Sequence, residues 1–211
     1  MEMENGSDGP MRRNFNFGVI SSEWGHTAFG LNTSNGDRDW GNISDYIKID
    51  ANGNTTLLTE KLDFSWAEDY QARQALSHLE GSGRRLLLSH LIYPTRGSMP
   101  HGFETLTREQ GIAVMTQYIE FAVNHFKDKF FAYNVVNEFY MIDDNDAQDV
   151  MLKVIGEDYI DIAFETVRKA DSTALTILNQ QENHTKNWRV NGINLSQTTL
   201  RVANRLAEKG L

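Results

Sequence analysis

Phe130-Phe131-Ala132-Tyr133-Asn134-Val135-Val136-Asn137-Glu138 is the stretch that decides the fold. It is apolar almost throughout, ends on two β-branched residues, and then delivers an amide and a carboxylate. A half-exposed strand would alternate polar and apolar residues. A short, continuously apolar run fits a strand of a parallel sheet covered by helices. Arg85-Leu86-Leu87-Leu88-Ser89-His90-Leu91-Ile92-Tyr93 upstream and Ala174-Leu175-Thr176-Ile177-Leu178 downstream have the same character.

Helical patterns separate these runs. Thr107 with Gln110 predicts a capping box, and Ile112, Met115, Ile119, Ala122, Val123 and Phe126 then form one apolar stripe. A second helix is expected over residues 157–170, with Ile160, Ala163, Phe164 and Val167 facing in, and a last one over residues 196–209. An earlier helix is read over Trp66–Leu79, ending near Gly81 and Gly83. Strand and helix in alternation describe an α/β fold, either a doubly wound sheet or a (β/α)8 barrel. No Gly-x-Gly-x-x-Gly follows a strand and there is no Walker-type loop, so nucleotide-binding folds lose their usual support.

Residues 1–13 read as a flexible tail and residues 14–211 as one domain. Phe15–Ile20 reads as a short opening strand. The polar stretch from Ser21 to Lys61 contains Tyr46–Ile49 and Thr55–Leu58 on either side of Asn52-Gly53, which predicts a hairpin.

The net charge of −9, with no basic run, argues against nucleic acid and anionic membrane surfaces as partners. There is no cysteine among the 211 residues, so disulfides, thiol nucleophiles and Cys-ligated metals are excluded. Met-Glu-Met-Glu-Asn-Gly is not a signal peptide and no apolar run is long enough to span a bilayer.

In βα architectures, function gathers at the C-terminal ends of the strands. Those ends carry His90 and Tyr93, then Asn137 and Glu138, then Asn179, Gln180, Gln181, Glu182, Asn183 and His184. Amides and carboxylates together suit a ligand rich in hydroxyls, each of which needs a donor and an acceptor. Glycoside hydrolysis needs a protonated carboxyl at the scissile oxygen and a second carboxylate across the sugar ring. Taken singly, Glu138 could be a solvated loop residue and His90 a satisfied core histidine.

The wider sequence resembles family 10 of the glycoside hydrolases, the endo-β-1,4-xylanase type. Phe15-Asn16-Phe17-Gly18 resembles the family's opening strand. Leu62-Asp63-Phe64-Ser65-Trp66-Ala67-Glu68 is similar to its Phe-Asp-Phe-Ser-x-Ala-Asp segment, and Leu106–Gln110 to the start of the helix before the catalytic strand. Lys127–Glu138 is similar to its Tyr-Lys-Gly-Lys-x-x-x-Trp-Asp-Val-Val-Asn-Glu. Gly156–Ile160, Ala163-Phe164 and Arg168–Asp171 continue it in order. The resemblance implies a (β/α)8 barrel with Glu138 as acid/base, and with Asn137, His90, Tyr93, Asn179 and Gln181 at the sugar. It implies no cofactor, no metal, a polysaccharide or oligosaccharide substrate, and a monomer at full length.

The departures are informative. The family's Glu-Asn-x-x-Lys-Trp after its second strand is not recognisable, its Trp-His after the third reads Tyr93-Pro94, and its Tyr after the fifth stands as Gln181. Trp24 and Trp40 are candidates for a sugar platform or for packing. Leu206–Leu211 resembles the helix before strand six, so about five βα units are expected, a partial barrel truncated before strands six to eight. The nucleophile of the family would lie on the seventh. The expected activity is retaining endo-β-1,4-xylanase-like cleavage, with no turnover by the 211 residues alone. A non-catalytic carbohydrate-binding protein and a barrel β-glucanase are the alternatives.

Overall fold

The structure is a computed structural model and describes residues 17–21, 30–32, 38–64, 85–127, 130–140, 149–180, 189–190 and 193–211. Its strands are β1 (Phe17–Ser21), β2 (Gly30–Asn32), β3 (Arg38–Trp40), β4 (Ile47–Ile49), β5 (Thr55–Leu57), β6 (Arg85–Ile92), β7 (Ala132–Asn137), β8 (Leu175–Asn179), β9 (Arg189–Val190) and β10 (Ile193–Asn194). Its α-helices are α1 (Arg108–Phe126), α2 (Val150–Val154), α3 (Tyr159–Ala170) and α4 (Leu195–Glu208).

β1, β6, β7 and β8 form one sheet in that order, and every pairing in it is parallel. Every residue of β7 is buried, the polar Asn134 and Asn137 included, as its mostly apolar run leads one to expect. The sequence suggests about five βα units. The described residues hold four parallel strands, and β1 is hydrogen-bonded directly to β6. β8 borders the sheet among the described residues, which is why Leu175 and Ile177 are exposed although their run is apolar.

The helices follow the expected stripes. Thr107 Oγ1 accepts from Gln110 N and Gln110 Oε1 accepts from Thr107 N, closing the capping box that opens α1. Met115, Ile119, Ala122, Val123 and Phe126 are buried, joined by Val114 and Tyr118, whereas Ile112 is only partly covered. α3 buries Ile160, Ala163, Phe164 and Val167. α3 begins two residues later than its periodicity suggests, at Tyr159, and α4 spans Leu195–Glu208. β4 and β5 form the hairpin, with Gly53 at φ +85° supplying the left-handed residue of its turn. The expected tail and the helix over residues 66–79 lie outside the described residues.

α2 packs on α1 at Gly111, where a Cβ would stand 2.8 Å from Val154 Cγ1 and 3.1 Å from Ile155 Cγ1. A β-branched valine has little rotamer freedom to yield. Gly111→Ala is therefore expected to lower the unfolding free energy by about 1–2 kcal/mol, the overpacking outweighing the gain in helix propensity. Urea unfolding of the two proteins measures it; equal or greater stability in the variant would show that α2 simply moves aside.

Candidate active site

β6, β7 and β8 end side by side, and their C-terminal ends carry the site. β6 runs on to Ile92, so His90 lies inside the strand and Tyr93 is the first residue beyond it. The two rings meet edge to face, with centroids 5.2 Å apart. Asn137 closes β7 and is buried, and Glu138 follows it. Asn179 closes β8.

Glu138 has φ +50° and Tyr140 φ +58°. Left-handed backbone costs a residue with a Cβ of the order of 1–2 kcal/mol, so other contacts must hold it there. They are on both sides. Glu138 N donates to Asn179 O at 2.9 Å. Gln180, itself buried, donates from Nε2 to Phe139 O at 2.7 Å. Tyr140 N donates to Asp149 Oδ2 at 2.7 Å.

A hydrogen-bonded chain of side chains crosses the three strand ends. Asn137 Oδ1 accepts from Asn179 Nδ2 at 2.6 Å and from Asn134 Nδ2 at 3.2 Å. Asn134 Nδ2 also donates to Ser89 Oγ at 3.3 Å, and Ser89 Oγ lies 3.0 Å from His90 Nδ1. With both acceptor positions of Oδ1 filled, the group Asn137 can offer a ligand hydroxyl is its Nδ2 donor. Asn134 Oδ1 is buried with no hydrogen-bond partner among the described residues. The carboxylate of the site is engaged too: Tyr93 donates from its hydroxyl to Glu138 Oε2 at 2.5 Å.

Asp149 braces this mouth by joining the segments that leave β6 and β7. It is buried, caps α2 by accepting from Leu152 N at 2.8 Å, and accepts from Tyr159 OH at 2.9 Å as well as from Tyr140 N. Val150 N donates to Pro94 O at 2.8 Å, and Thr95 and Asp149 form a β-bridge. The segment after β6 and the segment after β7 are thus tied to one point. Burial pushes the Asp149 carboxyl up to about 6, against the hydrogen bonds from Leu152, Tyr140, Tyr159 and Met151.

His90, Tyr93, Asn137, Glu138 and Asn179 therefore come together at one end of the sheet. Gln181, Glu182, Asn183, His184 and Trp24 lie outside the described residues, and Trp40 is placed only as backbone of β3. The sequence pattern does not single out Asp149, Asn134 or the anchoring role of Gln180. The available signal for Asp149 was its place as an N-cap before the apolar turn Val150-Met151-Leu152.

Among known proteins, an endo-1,4-beta-xylanase 2 from Claviceps purpurea is 37% identical over 68 residues, 32% of this chain and 21% of that protein. An endo-1,4-beta-xylanase A from Humicola insolens is 38% identical over 68 residues, 32% of this chain and 18% of that protein. Xylanase 10B from Thermotoga petrophila RKU-1, solved with xylobiose, superposes with a TM-score of 0.53 at 26% identity, covering 66% of this chain and 41% of that one. The intracellular xylanase of Thermoanaerobacterium saccharolyticum has the same fold over 94% of this chain and 54% of its own, with a TM-score of 0.60 and 18% identity. These matches span about a fifth of the curated relatives and about half of the solved ones. The sequence pattern of glycosyl hydrolase family 10 matches residues 56–211, which is most of the chain; the protein belongs to glycosyl hydrolase family 10.

Proposed function

We propose that these residues form the acid/base side of the active site of a retaining endo-β-1,4-xylanase-like glycoside hydrolase acting on plant cell-wall polysaccharide. The observation that carries the reading is the setting of Glu138. It is a carboxyl held in left-handed backbone at the mouth of a parallel sheet, hydrogen-bonded by the Tyr93 hydroxyl and following in sequence an amide, Asn137, that is bonded to Asn179. Family membership and the endo-1,4-beta-xylanase relatives support it. Glu138 gives its proton to the glycosidic oxygen as the bond to the sugar breaks. A partner carboxylate about 5–5.5 Å away takes the sugar carbon, and Glu138 then deprotonates the water that releases it. Asn137 donates from Nδ2 to a sugar hydroxyl, and His90, Asn179 and Gln181 complete the polar lining.

The partner carboxylate, which the family resemblance puts on a seventh strand, is not assigned to any of the 211 residues. Alone, they are expected to release no reducing sugar from xylan. Measurable hydrolysis that disappears in Glu138→Gln would place a second catalytic carboxylate within them and overturn the half-site reading. In a polypeptide that continues through strand seven, xylo-oligosaccharide products with retained configuration support the proposal. Products from β-glucan in place of xylan would make it a glucanase. Oligosaccharide binding by calorimetry with no product from either would make it a carbohydrate-binding protein, a role consistent with Pro94 and Gln181 at positions where the family carries His and Tyr.

A further inference from the structure

Tyr93 is expected from its position to touch the sugar, yet its hydroxyl is committed elsewhere. It donates to Glu138 Oε2 at 2.5 Å. The backbone builds that contact from both ends. On the Tyr93 side, Pro94 O is held by Val150 N at 2.8 Å and Thr95 is bridged to Asp149. On the Glu138 side, Tyr140 N is held by Asp149 Oδ2 at 2.7 Å and Glu138 N by Asn179 O at 2.9 Å. The His90 ring stands edge to face against the Tyr93 ring at 5.2 Å and limits its swing.

We propose that Tyr93 is a positioning residue for proton transfer by Glu138; the proposal rests on the reading of Glu138 as acid/base. A donor on Oε2 assigns the transferable proton to Oε1. When that proton moves to the glycosidic oxygen, the O–H electron pair stays on the carboxyl as its negative charge. The charge is shared with Oε2, where the phenol already donates. A hydrogen bond to a carboxylate is shorter and roughly twice as strong as one to the neutral acid, so this contact is stronger after transfer than before it. An interaction that strengthens along the reaction raises the rate; one equally strong throughout only tightens binding. Tyr93 would thus act through Glu138, and the sugar specificity would fall to the amides beside it.

The kinetic test uses the enzyme that carries these residues together with strands six to eight. It compares kcat/KM for a xylo-oligosaccharide, whose departing alcohol needs the proton, with that for a dinitrophenyl xylobioside, whose leaving group does not. Tyr93→Phe is expected to lower the first by roughly 10–100-fold and the second by less than about threefold. An equal loss on both substrates would make Tyr93 a sugar-binding residue, and no loss on either would make the contact idle; each overturns the proposal. Glu138→Ala run in parallel separates the two levels. If it lacks the same dependence on leaving group, the acid/base reading fails, whatever Tyr93 does. A second measurement uses the 211 residues themselves and isotope-labelled tyrosine. The Tyr93 hydroxyl is expected to exchange slowly with solvent, and quickly once Glu138 is alanine. Fast exchange in the unsubstituted chain would overturn the proposal even if Tyr93→Phe did not fold.

Discussion

Glu138→Gln is expected to reduce xylan turnover in the complete barrel by about 10²–10⁴-fold while leaving the unfolding free energy within about 0.5 kcal/mol of the parent. The substitution keeps shape and volume. Its carbonyl oxygen still accepts from the Tyr93 hydroxyl, which bonds Oε2 at 2.5 Å in the parent, and the bond from Glu138 N to Asn179 O belongs to the backbone. What it removes is the acidic proton that a carboxyl can transfer. A general acid contributes most where the departing oxygen is least able to carry charge, so the deficit should shrink as the leaving group becomes more acidic. Steady-state kinetics over a series of aryl xylobiosides measures the slope. Alkoxide-leaving substrates hydrolysed at the parental rate would show that Glu138 is not the acid. The left-handed φ of +50° sharpens the expectation, because a mere loop carboxylate has no reason to occupy backbone that favours glycine, and strain of this kind gathers where geometry serves chemistry.

How far the site could be read in advance depends on whether a residue's role is written in its own segment. β7 was legible because burial on both faces leaves a nearly continuous apolar run, and Asn137 and Glu138 were legible because they end it. The capping box at Thr107 and the hairpin around Gly53 were legible for the same reason, since each is set by residues three or four apart. Asp149 was not. Its partners Tyr140 and Tyr159 lie nine and ten residues away, and α2 has only five residues, too few for a periodicity to register. Asn134 is one polar residue within an otherwise apolar stretch of strand, and only the neighbouring strands reveal that it joins Ser89 to Asn137. Leu175 and Ile177 mislead in the opposite sense: an apolar run signals a buried strand, yet β8 borders the sheet among the described residues and none of its residues is buried.

Asp149 carries the second large expectation. Asp149→Ala removes the acceptor for Tyr140 N, Leu152 N and Tyr159 OH together, leaving three donors in a buried site. An unsatisfied buried donor costs about 1–3 kcal/mol, and the N-cap bond is one of the three, so a loss of about 3 kcal/mol or more in unfolding free energy is expected at about pH 4, where the substitution relieves no buried charge. The pH dependence follows from the direction of the shift. Burial raises the carboxyl from 3.8 to about 6 in the folded chain, so folding takes up a proton between those values. The stabilisation is complete below about 4 and is lost as pH rises through 6; above that, a buried charge persists at a cost of about 3 kcal/mol. The difference in unfolding free energy between the parent and Asp149→Asn should therefore change between pH 4 and 6 and level off above 7, the other carboxylates cancelling in the comparison. Urea unfolding across that range measures it, and a constant difference would mean that Asp149 keeps one charge state throughout. Because Tyr140 follows Glu138 by two residues and Pro94 follows Tyr93 by one, a loosened Asp149 should also release the bond between the Tyr93 hydroxyl and Glu138. In the alanine variant, that hydroxyl is expected to exchange with solvent faster than in the parent under conditions where both remain folded, which ties Asp149 to the carboxyl at the mouth of the sheet.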